Sequence, residues 1–217
     1  MKILLIGAKG QLGSTIVEEI NKHNLKNKCE LICPDKNNLN LLNKNNIDGY
    51  ISNLCPDWII NTAAYTNVDE AEEQVDLAYK INKDSTIAIC NTLKRVGGKL
   101  LYLSTDFVFD GESNIPYKPN DIRNPLNIYG KSKSEGEIAV ENILGESGQG
   151  KILRTSWLIG FSGKNFAKTI LSLSRKKGFV KVVSDNIGRP TTTTTVAKLC
   201  LEIIKKDLLN QKIPSIM

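Results

Sequence analysis

The chain has 217 residues, 41% hydrophobic and 24% charged, with a formal net charge of +6; that is enough for one domain with a continuous core and short for two. No apolar run of membrane-spanning length occurs and the N-terminal apolar stretch is too short for a signal peptide, so the expected setting is cytoplasmic. The basic residues are scattered, with short clusters at Arg175-Lys176-Lys177 and Lys205-Lys206 and no nucleic-acid-reading motif, so a solvated surface is expected and neither a nucleic acid nor a membrane is an expected partner. Five cysteines (Cys29, Cys33, Cys55, Cys90 and Cys200) form no C-x-x-C pair, and His23 is the single histidine. A zinc site or disulfide framework is therefore not expected, and most of these cysteines read as small core residues.

In chain order, Lys2–Ile6 is a short continuous apolar run, as in a strand buried on both faces. A glycine loop follows, and then Leu12, Ile16, Val17 and Ile20 recur at helical spacing. Further strands are expected at 30–33, 57–61, 99–104 and 151–154. Helices are expected over 68–96 (two, or one bent), 127–144, 166–176 and 196–206. Residues 145–150 read as a loop within this alternation rather than a linker between domains. Alternating strands and helices imply an α/β fold: a Rossmann-type, doubly wound parallel sheet with helices on both faces, in one domain over 1–217. In such sheets ligands bind beyond the carboxyl ends of the strands.

The loop Gly7-Ala8-Lys9-Gly10-Gln11-Leu12-Gly13 lies between a strand and a helix. Its glycines suit a tight turn at Gly7, backbone approach to a pyrophosphate at Gly10, and close helix–strand packing at Gly13. The G-x-x-G-x-x-G spacing departs by one residue from the usual dinucleotide fingerprint, and an ordinary strand-to-helix turn is the competing reading. At the end of the second strand, Asp35 is placed for a ribose, although it also suits a turn after Pro34; Lys9 and Lys36 could attract a 2′-phosphate, so NADH and NADPH both stay open.

Tyr129 and Lys133 are four residues apart on one helical face, where an ammonium would lower the phenol pKa and the tyrosine could protonate a carbonyl oxygen. Tyr79 and Lys83 have the same spacing, but on a helix that leads into the fourth strand, away from the carboxyl ends, so they read as a solvated helix face. Ser104-Thr105-Asp106-Phe107-Val108-Phe109-Asp110-Gly111 closes the fourth strand, and a hydroxyl there could align a substrate carbonyl or simply cap the strand.

Together with Pro56–Glu72, Pro125–Gly130, Arg154–Trp157, Asn165–Thr169 and Gly188–Thr191, these strings resemble the extended short-chain dehydrogenase/reductase superfamily, and within it the dTDP-4-dehydrorhamnose reductase family, over nearly the whole chain. The resemblance implies reduction of the 4-keto group of dTDP-4-dehydro-L-rhamnose for cell-surface polysaccharide synthesis. It implies Tyr129 as proton donor, Lys133 tuning it and holding the nicotinamide ribose, and Thr105 orienting the ketone. Thr105, Asp106 and Trp157 would meet the dTDP-sugar, although Trp157 would also suit a core aromatic. Gly7, Gly10, Gln11, Leu12, Gly13, Asp35, Ala64, Tyr65, Thr66 and Leu103 would line the cofactor cleft.

The chain departs from the family pattern at several positions. Phe107 replaces a usual tyrosine, and Asn40 stands at a usual aspartate. Thr15 and the run Thr191–Thr195 occupy the region where some members carry magnesium-binding glutamates at a dimer interface, so no metal is expected, while a homodimer stays open. Family members continue beyond Met217 with a segment that closes over the sugar nucleotide, so a fragment, a natural truncation and a compromised enzyme are all open. Phe107 after Asp106, where dehydratases carry glutamate, argues against dehydration. Another nucleotide-sugar reductase or epimerase, or a non-catalytic cofactor-binding subunit, is the alternative.

Overall fold

The structure, a computed structural model, describes residues 1–22, 29–182, 184–185 and 187–217; His23 lies outside the described residues. Five parallel strands form the central sheet: β1 (Lys2–Ile6), β2 (Glu30–Ile32), β3 (Trp58–Asn61), β4 (Lys99–Thr105) and β5 (Gly150–Thr155), in the order β2-β1-β3-β4-β5. The chain reverses direction across the sheet between β1 and β3, which opens a crevice beyond their carboxyl ends.

Period-two alternation builds the two cores. Ile3 and Leu5 of β1, Trp58 and Ile60 of β3, and Leu101 and Leu103 of β4 face one side. There they pack with Leu12, Ile16 and Ile20 of α1 (Gln11–Lys22) and Val196, Cys200 and Ile204 of α8 (Thr193–Leu208). Leu4, Ile6, Ile59, Leu100 and Tyr102 face the other side. They pack with Ile47 and Ile51 of α2 (Lys44–Leu54), Ile89 and Leu93 of α5 (Ser85–Val96), and Val140 and Leu144 of α6 (Ile128–Leu144). Burial on both faces explains why these strands read as unbroken apolar runs. Cys29, Cys90 and Cys200 are buried in these layers; Cys33 and Cys55 are exposed, and no disulfide joins the described cysteines.

The strands expected from sequence are all present, with bounds moved by a residue or so. The expected helix over 68–96 is four pieces: α3 (Val68–Glu73), α4 (Val75–Tyr79), a π-helical turn (Lys80–Asp84) and α5. Asn127 caps α6 through its side chain, accepting from the Gly130 amide at 2.8 Å, and Asn165 caps α7 (Phe166–Lys177) in the same way. Helix α2 and a second small sheet, β6 (Leu158–Ile159) parallel to β7 (Thr191–Thr192), lie outside the expected elements. The outer edge of β5 is extended by the last residues: Ile152 donates to Ser215 O at 2.8 Å, and Met217 donates to Ile152 O at 2.9 Å.

Helix α1 meets β1 almost backbone to backbone. A Cβ on Gly13 would lie 2.2 Å from Gly7 O and 2.7 Å from the Ala8 Cα. Gly7 itself takes φ +86°, and a Cβ there would meet the Ala63 amide at 2.7 Å. Gly13→Ala is therefore expected to push α1 away from β1, destabilising the fold by about 1–3 kcal/mol or more and weakening dinucleotide binding. Urea unfolding and a cofactor titration of the variant check both.

Candidate active site

The crevice collects residues from four strand ends. The glycine loop ends β1 and aims the first-turn N–H groups of α1, which lack intrahelical partners, over the sheet edge. The three glycines have separate duties. Gly7 makes the turn and Gly13 the close packing, while Gly10 is exposed and an added Cβ would meet nothing nearer than Gly7 O at 3.2 Å. Gly10 thus leaves an open, unobstructed face to the loop. A bare backbone at a helix start fits the pyrophosphate of a dinucleotide.

Gln11 was expected in the cofactor cleft, and its side chain is directed elsewhere. Its amide oxygen accepts from Gly160 N at 3.0 Å and Asn165 Nδ2 at 2.7 Å, and its Nε2 donates to Leu158 O at 3.1 Å. It fastens the glycine loop to the β6–α7 connection, leaving only its backbone for a ligand. Asp35 is exposed and its carboxylate accepts from the amides of Asn37 and Asn38 at 2.9 and 3.1 Å, so it caps its own turn. Lys9 and Lys36 are exposed.

Residues Ala64, Tyr65 and Thr66 follow β3. Asn82, on the π-helical turn, grips this segment from below: Oδ1 accepts from Tyr65 N at 2.8 Å, and Nδ2 donates to Tyr65 O at 3.1 Å and to Ser132 Oγ at 2.9 Å. Asn82 is buried and was not singled out from sequence, where it is one polar residue in a long helical stretch.

Thr105 ends β4. Its hydroxyl donates to Asp106 Oδ1 at 3.1 Å and accepts from the Phe107 amide at 3.2 Å, and Thr105 acts on the Tyr129 phenol beside it. The Phe107 ring meets Tyr129 edge-on, with centroids 5.6 Å apart. Asp106 is held above the ordinary carboxylate pKa by burial. Trp157 is exposed beyond β5, with φ +46°, and lies 5.8 Å from Phe166, so it is not a core aromatic. A bulky residue in the left-handed region is strained and is held there by its surroundings. Tyr79 and Lys83 form a cation–π pair at 5.7 Å, and Lys83 also reaches Glu135.

Tyr129 and Lys133 share one face of α6 as expected, but the expected lowering of the phenol by the ammonium is not found. Burial pushes Tyr129 up to about 12, only partly opposed by the neighbouring Thr105. Lys133 is directed below it instead. The ammonium is buried, donates to Leu103 O at 2.6 Å and sits 3.9 Å from the centre of the Tyr102 ring. Leu103 therefore contributes its carbonyl to Lys133 as well as its side chain to the core.

Burial also brings Lys133 down to about 7 from an ordinary 10.5, against the attraction of Glu137. Through that window the unfolded chain holds a proton that the folded chain has released, so stability rises with pH from about 7 to 10.5, and the full cost of burial is present below it. Lys133→Met is expected to raise stability at neutral pH by on the order of 1 kcal/mol and to flatten this pH dependence, at the expense of turnover. Urea unfolding at neutral and at alkaline pH measures it.

Comparison with known proteins places this crevice. Residues 1–216 match the RmlD substrate binding domain family. The dTDP-4-dehydrorhamnose reductase of Aggregatibacter actinomycetemcomitans is 37% identical over 212 residues, covering 98% of this chain and 70% of its own length. The crystal structure of a dTDP-4-dehydrorhamnose reductase from Clostridium acetobutylicum superposes with a TM-score of 0.89 at 38% identity, over 98% of this chain and 72% of its own. That of the Bacillus anthracis dTDP-4-dehydrorhamnose reductase in complex with NADP gives 0.87 at 36% identity, over 95% and 71%. With a five-stranded parallel sheet, a glycine loop at its switch point and a threonine, tyrosine and lysine beside it, the chain belongs to the RmlD substrate binding domain family.

Proposed function

We propose that the chain reduces the 4-keto group of dTDP-4-dehydro-L-rhamnose to dTDP-L-rhamnose with NADPH or NADH, for cell-surface polysaccharide synthesis. The observation that carries this reading is the juxtaposition of Thr105 at the end of β4 with Tyr129 at the start of α6, whose ring packs on Phe107 two residues after Thr105. It sets two hydroxyls side by side in the crevice next to the glycine loop, as a ketone oxygen needs. The names of the family's reductases and the NADP bound to one of them support the substrate class and the cofactor.

A bound reduced nicotinamide supplies the hydride that reaches the carbonyl carbon. Everything else is assigned to the chain's own groups. The glycine loop and the first turn of α1 take the pyrophosphate. Residues Ala64, Tyr65 and Thr66, gripped by Asn82, form the wall opposite. Tyr129, whose high pKa keeps it protonated at neutral pH, gives its proton to the carbonyl oxygen, while Thr105 orients that oxygen. Lys133 anchors the nicotinamide ribose from beneath. Asp106 and the exposed Trp157 meet the dTDP-sugar. The whole chain acts as one domain in this reading. Among the described residues no helix is long and apolar enough to cross a membrane, and the assignment to the cytoplasm, without nucleic acid or membrane as partner, is proposed with the rest.

Purified chain, reduced cofactor and dTDP-4-dehydro-L-rhamnose are expected to give loss of nicotinamide absorbance. Tyr129→Phe should lower kcat by about 10²–10⁴-fold with cofactor affinity nearly unchanged. Cofactor binding without turnover in the unmodified chain would replace the enzyme reading with that of a binding subunit. Undiminished turnover in Tyr129→Phe would remove the proton-donor role.

A further inference from the structure

Helix α6 carries Tyr129, Lys133, Glu137 and Glu141 at four-residue intervals, a spacing that lines them along one face. The reaction above uses the first two. Glu137 has no exposed side-chain surface and is surrounded by guanidinium groups. Arg154 of β5 donates from Nε to one carboxylate oxygen at 2.9 Å and from Nη2 to the other at 2.6 Å, and Arg123 adds a bond at 3.0 Å. Arg123 continues to Glu141 with two bonds, at 3.1 and 2.8 Å. Arg154 also donates to Pro119 O at 2.8 Å and lies 4.9 Å from the Phe109 ring, which stacks on Tyr117 at 4.3 Å.

Phe109, Tyr117, Pro119 and Arg123 all belong to the segment that links Thr105–Asp106 to Tyr129. One carboxylate therefore ties this segment to both α6 and β5. A fold has no need of such a charge, since apolar replacement of buried ion pairs is often neutral or stabilising. Its position is the informative part: one helical turn beyond Lys133.

We propose that Glu137 is a positioning residue for the reduction, the counter-charge one turn beyond Lys133 on α6 and, through Arg123 and Arg154, the anchor of the 109–124 segment that joins Thr105 to Tyr129. The proposal rests on the reductase reading above. The groups around Lys133 are few. Glu137 and Tyr129 share its helix, and Tyr102 of β4 lies under the ammonium. Asp106 stands beside Tyr129, while Cys90 of α5 lies behind Tyr102. Lys83 of the π-helical turn is paired with Glu135, and Glu72 of α3 accepts from the Ile128 amide. Arg154 and Arg123 act on Lys133 through Glu137. Burial drives Lys133 towards neutrality, and Glu137 opposes it. The two arginines dilute that attraction, so removing Glu137 and removing Arg123 must move Lys133 in opposite directions.

The test is an NMR titration of the Lys133 ε-carbon in the full chain without cofactor, with the signal assigned by its loss in Lys133→Met. Glu137→Gln should lower the midpoint by about one pH unit, a tenfold change in the ratio of charged to neutral lysine, and Arg123→Met should raise it. Glu137→Asp should restore part of the original value. Amide hydrogen exchange in the 109–124 segment should quicken in Glu137→Gln. The alkaline limb of kcat/KM should follow the two midpoints. Should Glu137→Gln not fold, the upward shift in Arg123→Met decides alone. Equal loss of thermal stability in both variants with an unmoved midpoint would show a merely structural carboxylate and overturn the proposal. Because the titration needs no turnover, an inactive chain would count against the reductase reading and leave this comparison standing.

Discussion

Helix α1 and strand β1 touch through bare backbone, and the geometry of the crevice follows from that contact. Gly13 lies so close to Gly7 O that no side chain fits between them. The helix can therefore start directly above the end of the strand, with its first amides facing the switch point of the sheet. Close approach alone would leave the helix free to pivot. Gln11 and Thr15, on the first turn, prevent this: Gln11 reaches the β6–α7 connection, and Thr15 hydrogen-bonds Thr193 at 3.0 Å. The loop that faces the cofactor is thus fastened to the part of the chain that carries Trp157 and Asn165. The side chain of Gln11, a residue expected at the cofactor cleft, fastens the two sides of the crevice.

The second organising feature is electrostatic. Lys133 is buried where an apolar residue would serve the core better. The structure offsets the cost of that burial in a graded way. A backbone carbonyl and an aromatic face meet the ammonium directly, a carboxylate follows one turn along the helix, and two arginines then neutralise the carboxylate. Charge alternates outward along α6 until it reaches solvent near Glu141. Tyr129 stands at the opposite end of this row, beside Thr105 and protonated, so the phenol and the buried cation are held apart along the helix.

Much of this was legible in the sequence because its causes are local. Short apolar runs named all five strands, and residues such as Ile3 and Leu4 divided between the two cores as a pleated strand requires. The Tyr129–Lys133 spacing placed both residues on one helical face, and the glycine spacing fixed the turn. The limits of local information are equally specific. The break of the 68–96 helix at the π-helical turn depends on Asn82 reaching Tyr65 and Ser132, residues 17 and 50 positions away. Glu137 was not singled out from the sequence, because its importance comes from Arg123 and Arg154, which no periodicity connects to it.

The sequence by itself therefore determined the α/β architecture, the glycine turn, the helical face shared by Tyr129 and Lys133, and the family likeness, since each depends on residues that are neighbours along the chain or on one element. Only the tertiary structure decided where long side chains point. It directed the Gln11 side chain to the β6–α7 connection, closed Asp35 onto its own turn, left Trp157 exposed, and aimed Lys133 at Leu103 O. The reason is physical: a buried or partly buried polar group settles where its hydrogen bonds can be met, and those partners come from elements brought together only when the sheet and its helices have packed.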